Sequence, residues 1–365
     1  MNRVWCHGAS VGDMRALEPL IVALLREPSV DDVVVTAWTD GGLVTGRKLF
    51  GERFAGRPPI PMRWPTRRFL KRWGVSALIL EYLELYPGWI AECNRLGLPV
   101  AVVDGRVTHK SLRIKRYLNG AASALRLFCA RSDTDAARAR RLGVPAASIC
   151  VTGNGKYDGY PLSEQSQKDE LSYRYGRPDV VIGSLHPDEQ SDALHALAQF
   201  KFSALIAPRY VRQRNGIVAL AERLGLSISL HSRGDAPKQI HLLDTYGELA
   251  SAYGAAPINI VGGSFGRRCG QNLFEAALHN NVVIHGPSTG NIIDEVQAFR
   301  HHGAHEVSSW EAAFSLVGTV SRTSSLRVQA LGLRGATSRN VRALLECLQP
   351  ASENSNQSDE CAPNS

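Results

Sequence analysis

A chain of 365 residues with 44% hydrophobic content is globular and long enough to bury two cores of ordinary size. Its formal charge of +8 points to a polyanionic partner, yet no arginine-rich tract or aromatic–basic repeat resembles a nucleic-acid module, so nucleic acid is set aside. Seven cysteines without a Cys-x-x-Cys pair argue against structural zinc and fit a reducing compartment, and no apolar run approaches the ~20 residues of a membrane span.

The chain opens on strand-like Val4–His7, with no signal peptide expected ahead of it, so the protein is expected to be cytoplasmic. Gly8-Ala-Ser-Val-Gly12 follows, then an amphipathic run over Asp13–Arg26 with Leu17, Leu20 and Leu24 on one face. Val33–Trp38 reads as a strand broken by Asp40-Gly-Gly42. A basic helix near Arg67–Trp73, a strand at Ala77–Glu81, a helix over Gly88–Leu96 and a strand at Val100–Asp104 continue the alternation. Leu125–Ala130, a helix over Thr134–Leu142 and a strand at Ile149–Thr152 close it. Alternating strands and helices predict a parallel sheet covered on both faces.

Gly159–Lys168 is polar and aperiodic and reads as a linker. A second alternation follows: Val180–Ser184, a helix over Glu189–Phe200, Ser203–Ala207, a helix over Val211–Leu224, Ser227–Leu230 and Ile240–Leu243. It continues through Ile258–Val261 and Val282–His285 to Ala304–Val307 and a last helix over Ser338–Leu348. The expected organisation is a first domain over 1–158, a linker over 159–168, a second domain over 169–349 that includes the last helix, and a disordered tail over 350–365. Both domains read as Rossmann-like.

The segment Asp244–Asn291 is the best candidate nucleotide pocket. Its strands end in Gly262-Gly-Ser264 and Gly286-Pro287 and lead into segments with helical spacing. Glycine loops at the carboxyl ends of parallel strands are where open α/β sheets bind phosphorylated ligands. In the first domain, Asp13 falls at a helix start, where its carboxylate is either a cap or a general base. The basic clusters at Arg63–Arg72, Arg106–Arg116 and Arg209–Arg214 are either solvated faces or anion sites.

Several motifs in chain order resemble the bacterial Kdo transferases, which add 3-deoxy-D-manno-octulosonic acid (Kdo) to a lipid A precursor. They begin with His7-Gly-Ala-Ser10-Val-Gly-Asp13, Glu84-Leu-Tyr-Pro87 and Gly105-Arg106-Val-Thr108, then Gly153-Asn-Gly-Lys156-Tyr-Asp158 before the linker. Ser184-Leu-His186 with Glu189, Ala207-Pro-Arg209 with Arg214, Ser232-Arg233 and Asp244-Thr-Tyr-Gly-Glu-Leu249 follow. Gly262-Gly-Ser264, Asn272 with Glu275, and Gly286-Pro287 with Asn291 complete the series. The resemblance implies an α/β fold of the GT-B type, two Rossmann-like domains facing a cleft. It also implies an inverting transfer from CMP-Kdo in lipopolysaccharide biosynthesis, with no metal or other cofactor.

On that resemblance Asp13 is the catalytic base. Arg209, Tyr246, Gly247, Glu248, Gly263, Ser264, Asn272 and Glu275 bind the CMP donor, with Asn272 near a helix start that holds the phosphate. Ser10, Glu84, Arg106, Lys156 and His186 line the donor-sugar and acceptor side. Lys156 either faces the Kdo carboxylate or stiffens the hinge, and Glu84 either serves the site or pairs with a nearby cation. His7 is expected to bond a backbone carbonyl and orient its loop. The acceptor would be a lipid A precursor or related glycolipid at the cytoplasmic face of the inner membrane, with Arg63–Arg72 meeting anionic head groups. The departures are Asp13 for a family Glu, Tyr82 for the first Glu of an acidic pair, Gly88 after the Pro, Asp104-Gly105 for Asn-Ala and Gln271 for a His, with the family's N-terminal anchor expected to be absent. They leave open a paralog with another sugar nucleotide or acceptor, such as a UDP-sugar transferase or epimerase, or a weakly active CMP-binding protein.

Overall fold

Apolar runs such as Val33-Val-Val35 and Val282-Val-Ile284 are buried on both strand faces, which is the pattern of parallel sheets covered by helices. The computed structural model describes residues 2–160, 166–321 and 324–348. In it the chain forms two units, one from residues 1–159 with the segment from 333 onward, the other from 160–332.

The first unit holds β1 (Arg3–Gly8), β2 (Asp32–Ala37), β3 (Phe54–Gly56), β4 (Val75–Glu81), β5 (Val100–Gly105), β6 (Leu127–Ala130) and β7 (Ile149–Val151). They pair in parallel in the order β3-β2-β1-β4-β5-β6-β7. Alternation along β1 sends Trp5 into the core of one face, with Leu78, Trp89 and Phe128. Val4 and Cys6 go to the other, with Met14, Leu17 and Leu20 from the helix Val11–Leu24. The expected break at Asp40-Gly-Gly42 is instead the start of the helix Asp40–Phe50, whose N-cap Thr39 accepts the Gly42 N–H at 3.1 Å. A side chain at Gly42 would meet the Ala9 carbonyl at 2.7 Å, so glycine here serves close packing rather than a break.

The second unit holds β8 (Val180–Leu185), β9 (Ala204–Pro208), β10 (Ile228–Leu230), β11 (Ile240–Leu242), β12 (Ile258–Val261), β13 (Val282–His285) and β14 (Ala304–Glu306). Their order is β10-β11-β9-β8-β12-β13-β14, again parallel throughout. In each sheet the order reverses beside the unit's first strand, between β1 and β4 and between β8 and β12. Such a reversal opens a crevice at the strands' carboxyl ends, where ligands bind.

The last helix, Ala336–Leu348, departs from the expected division. It belongs to the first unit, where Val341 and Leu344 pack with Leu17 and Val103. Asp158 caps its start, accepting from Gly335 N at 2.6 Å and Thr337 N at 2.7 Å. Sequence order alone had placed this helix with its neighbours in the chain. Of the expected linker, residues 161–165 lie outside the described residues, and a helix, Ser166–Arg174, begins within it. The expected tail over 350–365 also lies outside them.

Candidate functional site

In the first unit the crevice between β1 and β4 carries a group of carboxyls. Ser10 is the N-cap of the helix Val11–Leu24, and Asp13, three positions on, accepts the Ser10 N–H through Oδ2 at 2.7 Å. One oxygen of Asp13 is thus a cap, and the half-buried carboxylate keeps Oδ1. A side chain at Gly8 would meet the Asp13 Cβ at 2.7 Å, so the small residue lets the acid sit against the strand end.

Glu84 accepts the Tyr86 O–H at 2.7 Å, where a basic partner was one of its two expected roles. Burial raises its pKa above the ordinary carboxylate value, the Tyr86 bond opposes this, and the charge of Asp13 adds to the rise. Tyr82 stands where the family has its first Glu, but the preceding residue, Glu81, ends β4 with a carboxyl that is 1% exposed. Neither Glu81 oxygen has a hydrogen-bond partner. Burial first, then the nearby Asp104 and Asp13, hold it well above the usual carboxylate range. A second acid thus sits one residue earlier, beneath the surface. Sequence reading missed Glu81 because a strand's alternation, not the motif, decides where it points. Tyr82 itself is in the left-handed region at φ 65°, and its O–H accepts from Arg131 Nη1 at 2.9 Å. Asp104, at the end of β5, is also left-handed at φ 49°, so backbone strain collects at these two strand ends.

Lys156 sits on the turn Gly155–Tyr157, with Nζ 4.9 Å from the Tyr157 ring centroid. Asp104 holds this turn by accepting Gly155 N at 2.8 Å and joins it to the last helix by accepting Asn340 Nδ2 at 3.1 Å. Arg106 follows β5 and is half-buried. His7 is fully buried, bonds the Thr36 hydroxyl at 2.8 Å and also has a hydrogen bond to the Thr36 backbone, as expected for it. Burial pushes its pKa down to about 3, which keeps the ring neutral.

In the second unit one acid organises the crevice between β8 and β12. The buried Glu189 accepts backbone N–H groups from both strand ends, His186 at 3.1 Å and Gly263 at 2.7 Å on Oε2, Phe265 at 2.9 Å and Gly266 at 3.3 Å on Oε1. This role needs the folded loops to become visible, since its four donors come from two loops more than 70 residues apart in sequence. Ser184, just before, is left-handed at φ 53°. His186 is 3% exposed, and neither ring nitrogen has a hydrogen-bond partner. Burial lowers its pKa, so the ring is neutral with one N–H to donate. Gly263 lies against it, since a Cβ there would meet the His186 ring at 3.0 Å. Arg209 follows β9, is exposed, and acts electrostatically on His186 together with Arg268.

Ser264 is spent on the loop itself, donating to Val261 O at 2.6 Å and accepting Gly286 N at 2.8 Å. Asn272 Nδ2 donates to Tyr160 Oη at 2.7 Å and Glu275 Oε1 at 3.2 Å, while Oδ1 accepts Phe274 N at 2.9 Å. The helix expected to hold a phosphate near Asn272 is only Phe274–Ala277, one turn, with little dipole to offer. Tyr246, Gly247 and Glu248 form a second group. Tyr246 is exposed, Gly247 is left-handed at φ 93°, and Glu248 accepts the Thr245 O–H at 2.7 Å. The preceding Asp244 is buried and anchors the loop through Ser232 N at 2.8 Å, Ser232 Oγ at 2.6 Å and Arg214 Nη1 at 3.3 Å.

Comparison with known proteins places these features among relatives. A family model described as 3-Deoxy-D-manno-octulosonic-acid transferase (kdotransferase) matches residues 1–159. A 3-deoxy-D-manno-octulosonic acid transferase of Bordetella pertussis is 31% identical over 380 aligned residues, covering 94% of this chain and 87% of the relative. One from Chlamydophila psittaci is 27% identical, covering 82% of this chain and 73% of the relative. Among solved structures, the UDP-GlcNAc 2-epimerase from Neisseria meningitidis, bound to UDP-GlcNAc, superposes with a TM-score of 0.65 at 13% identity. It covers 94% of this chain and 100% of that one. That likeness concerns the fold alone.

Proposed function

The chain belongs to the 3-deoxy-D-manno-octulosonic acid transferase family, glycosyltransferases of the GT-B fold class, and from that premise we propose that it moves Kdo from CMP-Kdo to a lipid A precursor. The observation that carries the donor half is His186, a neutral buried imidazole with both nitrogens unpartnered, against Gly263 and within the field of Arg209. Buried polar groups are ordinarily paired, so an orphaned pair of ring nitrogens beside a glycine loop suits a ligand phosphate. His186 donates to the CMP phosphate, Arg209 neutralises it as it leaves, and the Tyr246–Glu248 loop takes the cytosine. Glu275, held by Asn272, accepts from the ribose hydroxyls.

The first unit supplies the base. Asp13 takes the proton from the acceptor hydroxyl, whose oxygen bonds to the anomeric carbon as the bond to the CMP phosphate breaks. One displacement inverts that carbon, and the reading assigns no metal to the step. Ser10 sets Asp13 through the cap, while Glu84, Arg106 and Lys156 line the sugar and acceptor side. Calorimetry tests the donor assignment, with CMP expected to bind at least tenfold more tightly than UMP or UDP. Equal affinities would instead support a transferase or epimerase of another nucleotide.

The acceptor reading places the protein on the cytoplasmic face of the inner membrane. No helix of the described residues is long and apolar enough to cross a membrane. The helix Arg63–Trp73 exposes Trp64 (77%) on the same face as Arg68, Lys71 and Arg72, with Met62 and Ile60 exposed just before it. An exposed aromatic beside several cations suits a bilayer interface, at about 1 kcal/mol per cation near anionic lipid. The protein is expected to sediment with anionic vesicles at low salt and to be largely released at high salt. Equal sedimentation with neutral vesicles would contradict this.

A further inference from the structure

Behind the Tyr246–Glu248 loop runs a chain of side chains that the function above does not use. Ser229 Oγ lies 2.8 Å from His241 Nδ1, His241 Nε2 lies 3.3 Å from His231 Nδ1, and His231 Nε2 lies 3.2 Å from Glu248 Oε2. Ser229 and His241 are buried on β10 and β11, so the chain starts inside the sheet and ends at the nucleoside loop. Tyr175 donates to the same Glu248 oxygen at 3.4 Å, and its ring lies 5.5 Å from that of His231.

Counting hydrogens shows what the chain does. Glu248 is an acceptor on both oxygens, so His231 must present an N–H at Nε2. If the Ser229 hydroxyl donates to His241, both histidines are neutral and every bond points toward Glu248. The hydroxyl has a second acceptor, the Ile240 carbonyl at 3.2 Å, and also accepts from Lys238 N at 3.1 Å. When it turns to Ile240, His241 donates to Ser229 and accepts from His231, which is then an imidazolium facing the Glu248 carboxylate. One added proton thus reverses two bonds without breaking the hold on Glu248. His241 is the member kept neutral, because burial and the neighbouring His231 lower its pKa. The other charged groups around the chain are Arg174, 3.6 Å from Glu248, and Asp235 and Asp244 beside His241.

We infer that His231 is a positioning residue for the donor nucleoside, holding Glu248 and through it the loop that receives the base, with its protonation coupled to nucleotide binding. The inference rests on the reading that this loop takes CMP. Linkage requires the coupling to be reciprocal. Covering the pair with a base strengthens the attraction between imidazolium and carboxylate, so bound nucleotide should favour the charged ring.

The test is an NMR titration of the His231 ring protons in the full chain, with and without saturating CMP, beside the variants His231→Gln and Ser229→Ala. The His231 titration midpoint is expected to move upward on saturation with CMP. His231→Gln should raise the CMP-Kdo KM and the CMP Kd by about tenfold while kcat stays within about twofold, and Ser229→Ala should give a smaller rise in both. A midpoint that is unmoved or lowered while the wild type binds CMP overturns the inference, as does wild-type affinity in His231→Gln. Failure of the wild-type protein to bind CMP at any pH would instead remove the reading beneath it.

Discussion

Replacing Asp13 with Asn is expected to lower kcat for Kdo transfer by about 10²–10⁴-fold, the usual worth of a general base. The amide oxygen can still accept the Ser10 N–H that Oδ2 accepts in the wild type, so the helix start survives. Only the favourable charge in the first turn is lost, about 0.3–1 kcal/mol. The variant should therefore melt within a few degrees of wild type and bind CMP unchanged, because the nucleotide residues lie in the other unit. A variant that keeps its turnover would leave Asp13 as a cap and nothing more. Asp13→Glu addresses the shorter acid of this chain. Misplacement by ~1 Å costs ~100-fold, so an increase in rate would mark the Asp as a handicap, and a decrease as a fitted specialisation.

Glu189→Ala is expected to have the largest effect on stability. It strands four backbone N–H groups, those of His186, Gly263, Phe265 and Gly266, at a buried position. Hydrogen bonds to a charged acceptor contribute about 1.5–3 kcal/mol each, though not additively, and a loss of about 3–5 kcal/mol is expected. At about 2–4 °C per kcal/mol for a domain of this size, Tm should fall by about 6–20 °C. CMP affinity should fall with it, because the same bonds set His186 and Gly263. Glu189→Gln should be nearly as damaging, since its NH2 faces two donors. Wild-type melting and CMP affinity in the Ala variant would show that the loops after β8 and β12 hold themselves.

Strand positions were legible from sequence because buried parallel strands read as short apolar runs. Ile258–Val261 and Val282–His285 match to the residue, and most others shift by one or two positions. What failed was punctuation and sequence order. Gly41-Gly42 opened a helix because the Ala9 carbonyl leaves no room for a side chain at 42. The last helix joined the first unit because Asp158 and Asp104 hold it there, through contacts 179 and 236 residues apart in sequence. The short strand Phe54–Gly56 lacks the apolar run that marked the others.

For the site, motif positions named the loops but not the contacts each side chain makes there. Ser264 is consumed by its own loop, Glu84 bonds a tyrosine, and the phosphate helix is a single turn. The surroundings of Glu81, Glu189 and His231 depend on burial and on neighbours far away in sequence. Hydropathy patterns report neither.

The central claim, Kdo transfer from CMP-Kdo, is tested most directly by incubating the full chain with CMP-Kdo and a lipid A precursor in detergent, then reading product mass and released CMP. The account predicts a precursor heavier by one or more Kdo residues, with one CMP released for each sugar added, at a rate that chelator leaves unchanged. A precursor of unaltered mass, in a preparation that binds CMP no better than UMP, would contradict it.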